Sequence, residues 1–140
     1  MTDANPSALS HVSIGTNQFE RAVAFYDKVL APLGCKRVME HPGAVAYGKQ
    51  YPEFWVQTPI DGKPAAAGNG SHVGFIAPTK DAVQAFYDAA VQAGATGDGP
   101  PGERPLYGAP YYGCFLRDLD GHKIEAAYWD EELAAKIGIG

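Results

Sequence analysis

Two stretches of the chain carry apolar residues at helical spacing, and shorter strand-like runs surround each. In the first stretch Phe19, Ala22, Val23, Tyr26, Val29 and Leu30 fall at i, i+3, i+4, i+7 steps, which gathers them on one helix face. In the second, Val83, Phe86, Tyr87, Ala90 and Val91 do the same. Asn17 and Thr79 stand where N-caps belong, because a short side-chain oxygen can accept a free first-turn N–H. Gly34 and Gly94 follow the stripes, where a left-handed C-cap favours glycine. A short apolar run precedes each helix: Leu9, Val12 and Ile14, then Val73, Phe75 and Ile76. After the first helix, β-rich runs are predicted at Lys36–Met39, Ala44–Tyr47 and Phe54–Gln57. After the second they are weak around Ala95–Thr96 and clear at Tyr111–Arg117 and Lys123–Trp129, with Asp120-Gly121 as the hairpin turn. Each half reads β-α-β-β-β.

The two halves also match in letters. Ser10-His11-Val12 recurs as Ser71-His72-Val73, and Ala24-Phe25-Tyr26-Asp27 as Ala85-Phe86-Tyr87-Asp88, both at a spacing of 61 residues. Two matches in one register, covering a strand and a helix, mark a duplicated unit. The chain divides into a tail at residues 1–7, a single domain at 8–130 made of repeats 8–68 and 69–130, and a C-terminal tail at 131–140. Thr58–Gly70 is the connection between repeats, and Asp130–Ile137 predicts a short terminal helix. The fold class is α+β, built from two paired βαβββ modules.

Composition narrows the function. At 140 residues with 46% apolar content, the chain can bury a core of its own. A net charge of −5, with no Lys/Arg run, argues against nucleic acid and anionic membranes as partners. No apolar stretch approaches the ~20 residues that span a bilayer, and the N-terminus lacks the basic and apolar regions of a secretion signal. Cys35 and Cys114 lie far apart, which fits free thiols in a reducing, cytoplasmic setting. With only two cysteines, a metal site must rest on His and carboxylate.

Four histidines are present. His41 precedes Pro42-Gly43 and His122 adjoins the hairpin turn, so both read as exposed loop residues. His11 and His72 open the first strand of each repeat, and pseudo-twofold packing brings equivalent positions face to face. A hydrogen-bonded core role is the competing reading of each. Glu125 interrupts the apolar run Ile124-Glu125-Ala126-Ala127-Tyr128, where a buried carboxylate needs a cation and an exposed face does not. Two imidazoles and one carboxylate form a facial triad suited to Zn, Ni, Fe, Mn or Co. Glu125 is also the candidate catalytic group, as a ligand that can be released to act as base. In the first repeat, Trp55 or Gln57 takes the place of Glu125, and both are candidate substrate contacts. Tyr107 and Tyr112 are further candidates among the tyrosines, with packing and dimer contact as their competing role. Arg104 and Arg117 are either holders of a substrate carboxylate or thiol-tripeptide or solvated surface residues, the more frequent role of such arginines. Gly97-Asp98-Gly99-Pro100-Pro101-Gly102 has the letters of a dinucleotide loop, but its prolines forbid the helix that such a loop must open. The Gly/Pro/Tyr-rich segment is expected to be a long loop of the kind that serves as a lid.

The repeat, the two strand histidines and Asp118-Leu119-Asp120-Gly121-His122-Lys123-Ile124-Glu125 together resemble the vicinal oxygen chelate superfamily. That group includes glyoxalases, extradiol dioxygenases, fosfomycin-resistance thiol transferases and bleomycin-resistance proteins. The resemblance covers about residues 8–130. It implies a cupped mixed sheet with a divalent metal held by His11, His72 and Glu125, and a homodimer that draws His11 from one chain and the other two ligands from its partner. It further implies a lyase or isomerase acting on a small oxygen-chelating substrate, with oxygenation, thiol addition and non-catalytic drug or metabolite binding as alternatives. Trp55 stands near the second glutamate of the four-ligand members.

Overall fold

Each helix buries its apolar stripe against a sheet, and the sheets take their order from the repeat. The computed structural model describes residues 6–139, so the tail before Pro6 and Gly140 lie outside the described residues. The first half runs β1 (Val12–Gly15), α1 (Phe19–Leu30), a 3-10 turn (Ala31–Leu33), β2 (Lys36–His41), β3 (Ala44–Gly48) and β4 (Phe54–Gln57). The second runs β5 (His72–Ile76), α2 (Lys80–Gln92), β6 (Thr96–Glu103), a 3-10 turn (Pro105–Tyr107), β7 (Tyr111–Arg117) and β8 (Lys123–Trp129), followed by α3 (Glu131–Lys136). The result is two four-stranded mixed sheets, ordered β1-β4-β3-β2 and β5-β8-β7-β6. In each, the opening strand pairs parallel with the closing strand, and the other pairs are antiparallel.

The core lies between the helices and the sheets. From α1 it takes Val23, Phe25, Tyr26, Val29 and Leu30, from α2 Ala82, Val83, Phe86 and Ala90, and from the strands Val56, Leu116, Ile124 and Ala126. Alternation along β8 puts Ile124 and Ala126 in this core and turns Glu125 to the other face. Cys35 and Cys114 are free thiols. Burial pushes the Cys114 thiol up to about 11.

The segment Asp118–His122 joins the two halves. Buried Asp118 accepts from the Tyr26 hydroxyl at 2.5 Å and from the backbone N–H of Asp120 and His122. Burial, then the Asp118 charge, raises the Tyr26 hydroxyl well above its ordinary range, so it stays a donor. Thr16 donates to Asp120 at 2.5 Å, and the His122 ring bonds the Gly15 carbonyl through Nε2 at 2.7 Å. His122 is therefore a tie between the halves rather than a free loop residue. His41 ends β2 and is exposed as expected, but its ring lies flat on Trp55.

Several local expectations differ. Helix α1 starts from Gln18 without a side-chain cap, because Asn17 instead bonds both backbone groups of Ala65 in the connection between halves. Thr79 caps α2 as expected by accepting from Ala82. Val91 is exposed, because the buried stripe of α2 ends at Ala90. The Gly/Pro-rich segment at 96–103 is not a loop but an edge strand, with register shifts at Gly97/Gly99 and Gly99/Gly102. An edge position tolerates proline, and the shifts absorb the irregular spacing.

Candidate functional site

Glu125 projects from β8 on the face away from the helices. In register it sits between Gly74 of β5 and Phe115 of β7. A Cβ at position 74 would come within 3.1 Å of Glu125 Oε1, so the glycine leaves room for the carboxylate. Gly113 does the same for the Tyr111 hydroxyl, which fills the space a side chain there would need. In this recess both carboxylate oxygens are bonded. His72 Nε2 lies 3.0 Å from Oε1, and the Tyr111 hydroxyl donates to Oε2 at 2.6 Å. Burial, then the hydrogen bond to Glu125, raises the Tyr111 hydroxyl well above its ordinary range. The Glu125 side chain is 12% exposed and His72 46%, so the pair opens to solvent from the imidazole side.

The walls are aromatic. The His72 ring meets Phe115 edge-on at 6.1 Å. Tyr107, on the 3-10 turn after β6, meets Tyr111 edge-on at 5.1 Å and Phe115 at 6.5 Å. Lys123 lies over the Phe115 ring at 4.9 Å, and Arg104 at 6.0 Å.

Of the three candidate ligands, the fold brings two together. His11 stands one residue ahead of β1, exposed, with the Ser10 hydroxyl 3.0 Å from its Nδ1. It shares with His72 a cleft of about 360 Å³ between the starts of β1 and β5, without joining the His72–Glu125 pair. Among the described residues, no group of three His, Cys, Asp or Glu side chains is placed to hold a metal ion. The pair itself suits one. An imidazole nitrogen and a carboxylate oxygen are both donors to divalent ions, and His72 Nε2 and Glu125 Oε1 stand at a hydrogen-bond separation of 3.0 Å with the imidazole side open to solvent. A single chain offers two such donors in a glycine-cleared recess.

The first sheet shows what replaces the carboxylate there. Ser13 pairs with Trp55 as Gly74 pairs with Glu125, so Trp55 holds the equivalent place and Gln57 lies one step further along the same face. The His41 ring stacks on Trp55 at 6.1 Å, with the planes 8° apart. Trp55, Gln57, His11 and Ser13 border a broad hollow on this sheet. Tyr107 is beside the Glu125 recess. Tyr112 is not: it packs toward the helices, with Lys80 over its ring. The hydroxyl at Glu125 belongs to Tyr111. Strand parity held that signal, because pairing outward from the Asp120-Gly121 turn sets Phe115 opposite Glu125 and puts Tyr111, not Tyr112, on its face. Arg104 and Phe115 are further neighbours of the recess that periodicity alone does not single out.

Two fused βαβββ repeats, each pairing its first strand parallel to its last, with a His–Glu pair on the open face of the second, define a duplicated α+β class. The Glyoxalase/Bleomycin resistance protein/Dioxygenase superfamily matches residues 8–126, and the chain belongs to it. Among solved structures, a glyoxalase/bleomycin resistance protein from Albidiferax ferrireducens T118 is similar at 38% identity, over 87% of this chain and 98% of that one, with a TM-score of 0.78. A lactoylglutathione lyase from Agrobacterium tumefaciens shares the fold at 20% identity, over 88% and 94% of the two chains, with a TM-score of 0.59. A glyoxalase-related enzyme from Fulvimarina pelagi does so at 18% identity, over 87% and 88%, with a TM-score of 0.67. No curated protein matches. No helix among the described residues is long and apolar enough to cross a membrane.

Proposed function

We propose that this protein is a divalent-metal enzyme of glyoxalase type, a lyase or isomerase acting on a small substrate with two neighbouring oxygens, whose site is completed in a homodimer. The observation that carries this reading is the His72–Glu125 pair, an imidazole and a carboxylate brought within 3.0 Å of each other in a recess cleared by Gly74 and Gly113. His11 of a second copy is the third donor. It is exposed, and it borders an open hollow on its own sheet rather than a closed core.

When bound, the ion supplies a Lewis acid that polarises a substrate oxygen. The rest falls to side chains. Glu125, released from the ion, would take a proton from the hydroxyl-bearing carbon beside the carbonyl and return it to the carbonyl carbon while the hydroxyl proton passes to the carbonyl oxygen, which is the proton shift of an isomerase. The Tyr111 hydroxyl keeps its own proton and fixes the carboxylate through Oε2. Tyr107 and Phe115, in edge contact at 6.5 Å, give the recess an aromatic wall beside the substrate. Trp55 removes the fourth ligand and leaves a flat aromatic platform in its place.

That platform also favours a second reading, a metal-free protein that binds an aromatic drug or metabolite between such surfaces. Elemental analysis separates the two. Wild-type protein loaded in turn with Zn, Ni, Co, Mn and Fe is expected to keep about one ion per chain through gel filtration, and His72→Ala to keep none. Wild-type protein that emerges metal-free from every loading, yet retains aromatic ligands, overturns the enzymatic reading.

A further inference from the structure

The run Gly97-Asp98-Gly99-Pro100-Pro101-Gly102 opens no helix but lies in β6. Gly97 leaves room for the Tyr87 hydroxyl, and the other two glycines, Gly99 and Gly102, flank one side chain. A Cβ at Gly99 would stand 3.1 Å from Arg104 Nη2, and a Cβ at Gly102 would stand 3.1 Å from Arg104 Nη1. The guanidinium fits because neither residue has a side chain. It is then oriented by carbonyls: Nη2 donates to Pro100 O at 2.6 Å, and Nη1 to Glu103 O at 3.2 Å. Two of its five N–H groups are used in this way, and three remain.

What the socket omits is an anion. Carbonyls fix the direction of a guanidinium without neutralising it, whereas a carboxylate does both. The neighbouring cations differ in this respect. Arg117 and Lys123 both reach Asp98, at 3.3 and 3.8 Å. Arg104 has no ion pair among the described residues. It lies over the Phe115 ring, the same ring that the His72 imidazole touches. In a chain of net charge −5, a pre-oriented cation without a counter-ion, beside the recess, is an unfilled half of a contact.

We propose that Arg104 is the anion-recognition group of this site, and that the ligand it receives carries a carboxylate. The assignment takes only the location of the site from the proposed function, and it holds with or without a metal.

The test uses metal-free full-length protein and two isosteric probes, phenylacetate and phenylacetamide, which differ in charge. Calorimetric titration of wild type is expected to show phenylacetate bound about tenfold more tightly or better, the size of a charge-assisted hydrogen bond, with the margin shrinking as salt is added. Arg104→Gln removes the preference, and Arg104→Lys restores part of it. Gly102→Ala, which keeps the cation but displaces it, weakens the preference. Lys28→Gln, on α1, leaves it intact. Equal binding of the two probes to wild type, no saturable binding of either, a preference that survives Arg104→Gln, or inorganic phosphate bound ahead of phenylacetate through Arg104 overturns the assignment. A carboxylate preference in a protein that takes up no metal leaves Arg104 in place and removes the metal reading. Metal uptake without that preference does the reverse.

Discussion

A carboxylate on an apolar strand is stable only when its oxygens are bonded, and Glu125 gives one oxygen to Tyr111 and one to His72. The two bonds differ in kind. In the proposed metal site His72 would exchange its bond for the ion, while Tyr111 would stay and set the carboxylate's direction. Tyr111→Phe should therefore leave the fold intact at a cost of about 2 kcal/mol, because a hydrogen bond to a charged group is lost in a nearly buried position. It should weaken metal uptake by about tenfold or more, the usual consequence of removing a ligand's orienting partner. Denaturant midpoints and a metal titration read the two effects separately. A variant that keeps wild-type metal affinity would show that the hydroxyl is only a structural contact. His72 and Glu125 were legible in the sequence, one from its place in the repeat and the other as a charge in an apolar run. Tyr111 and Arg104 were less so, since strand register and a glycine socket connect them to the site, and neither is a local pattern.

Between elements, the clearest polar link is Asp27 of α1, which receives two bonds of 2.7 Å from Arg37 of β2 and one of 2.9 Å from Tyr47 of β3. The hydrogen bonds from Arg37 lower the Asp27 carboxyl below its ordinary value of 3.8, against the opposing effect of burial. A folded-state value below the unfolded one means that the link stabilises the fold above about pH 4 and is lost as pH falls through the lowered value. Because the Asp27 side chain is 39% exposed, solvent screening limits the contribution to about 0.5–1 kcal/mol. Urea unfolding of wild type and Asp27→Asn should differ by that amount at pH 6 and converge in the acid limb. A constant difference across the whole range would mean that the carboxylate charge plays no part. The elements themselves were largely visible. Phe54–Gln57, Tyr111–Arg117 and Lys123–Trp129 are strands with the predicted bounds, because alternation and turn chemistry agree there. β6 was hidden because glycine and proline carry no alternation, and its strand character comes from pairing with β7 rather than from its own residues.

At the scale of the molecule, duplication explains both the fold and the incompleteness of the site. Two copies of one unit place His11 and His72 at equivalent positions, but the second copy alone carries the carboxylate, while Trp55 stands in its place in the first. The repeat in the letters made the architecture readable. Its symmetry predicts that His11 and His72 face one another, whereas the family resemblance draws His11 from the other chain. Within one chain His11 stands apart from the pair, because that depends on how modules meet rather than on how each folds. If the third donor comes from a second copy, two damaged chains can repair one another. A dimer of one His11→Ala chain and one His72→Ala chain has one site lacking both histidines and one with His11, His72 and Glu125 all intact. Neither variant alone should hold metal. Equal amounts unfolded and refolded together should regain about a quarter of wild-type capacity, since random pairing makes half the dimers mixed and each mixed dimer carries one complete site of two. Refolding each variant separately and then combining them without exchange should regain nothing. A site built within one chain predicts no recovery in either case, because every chain in the mixture then lacks one of its own ligands.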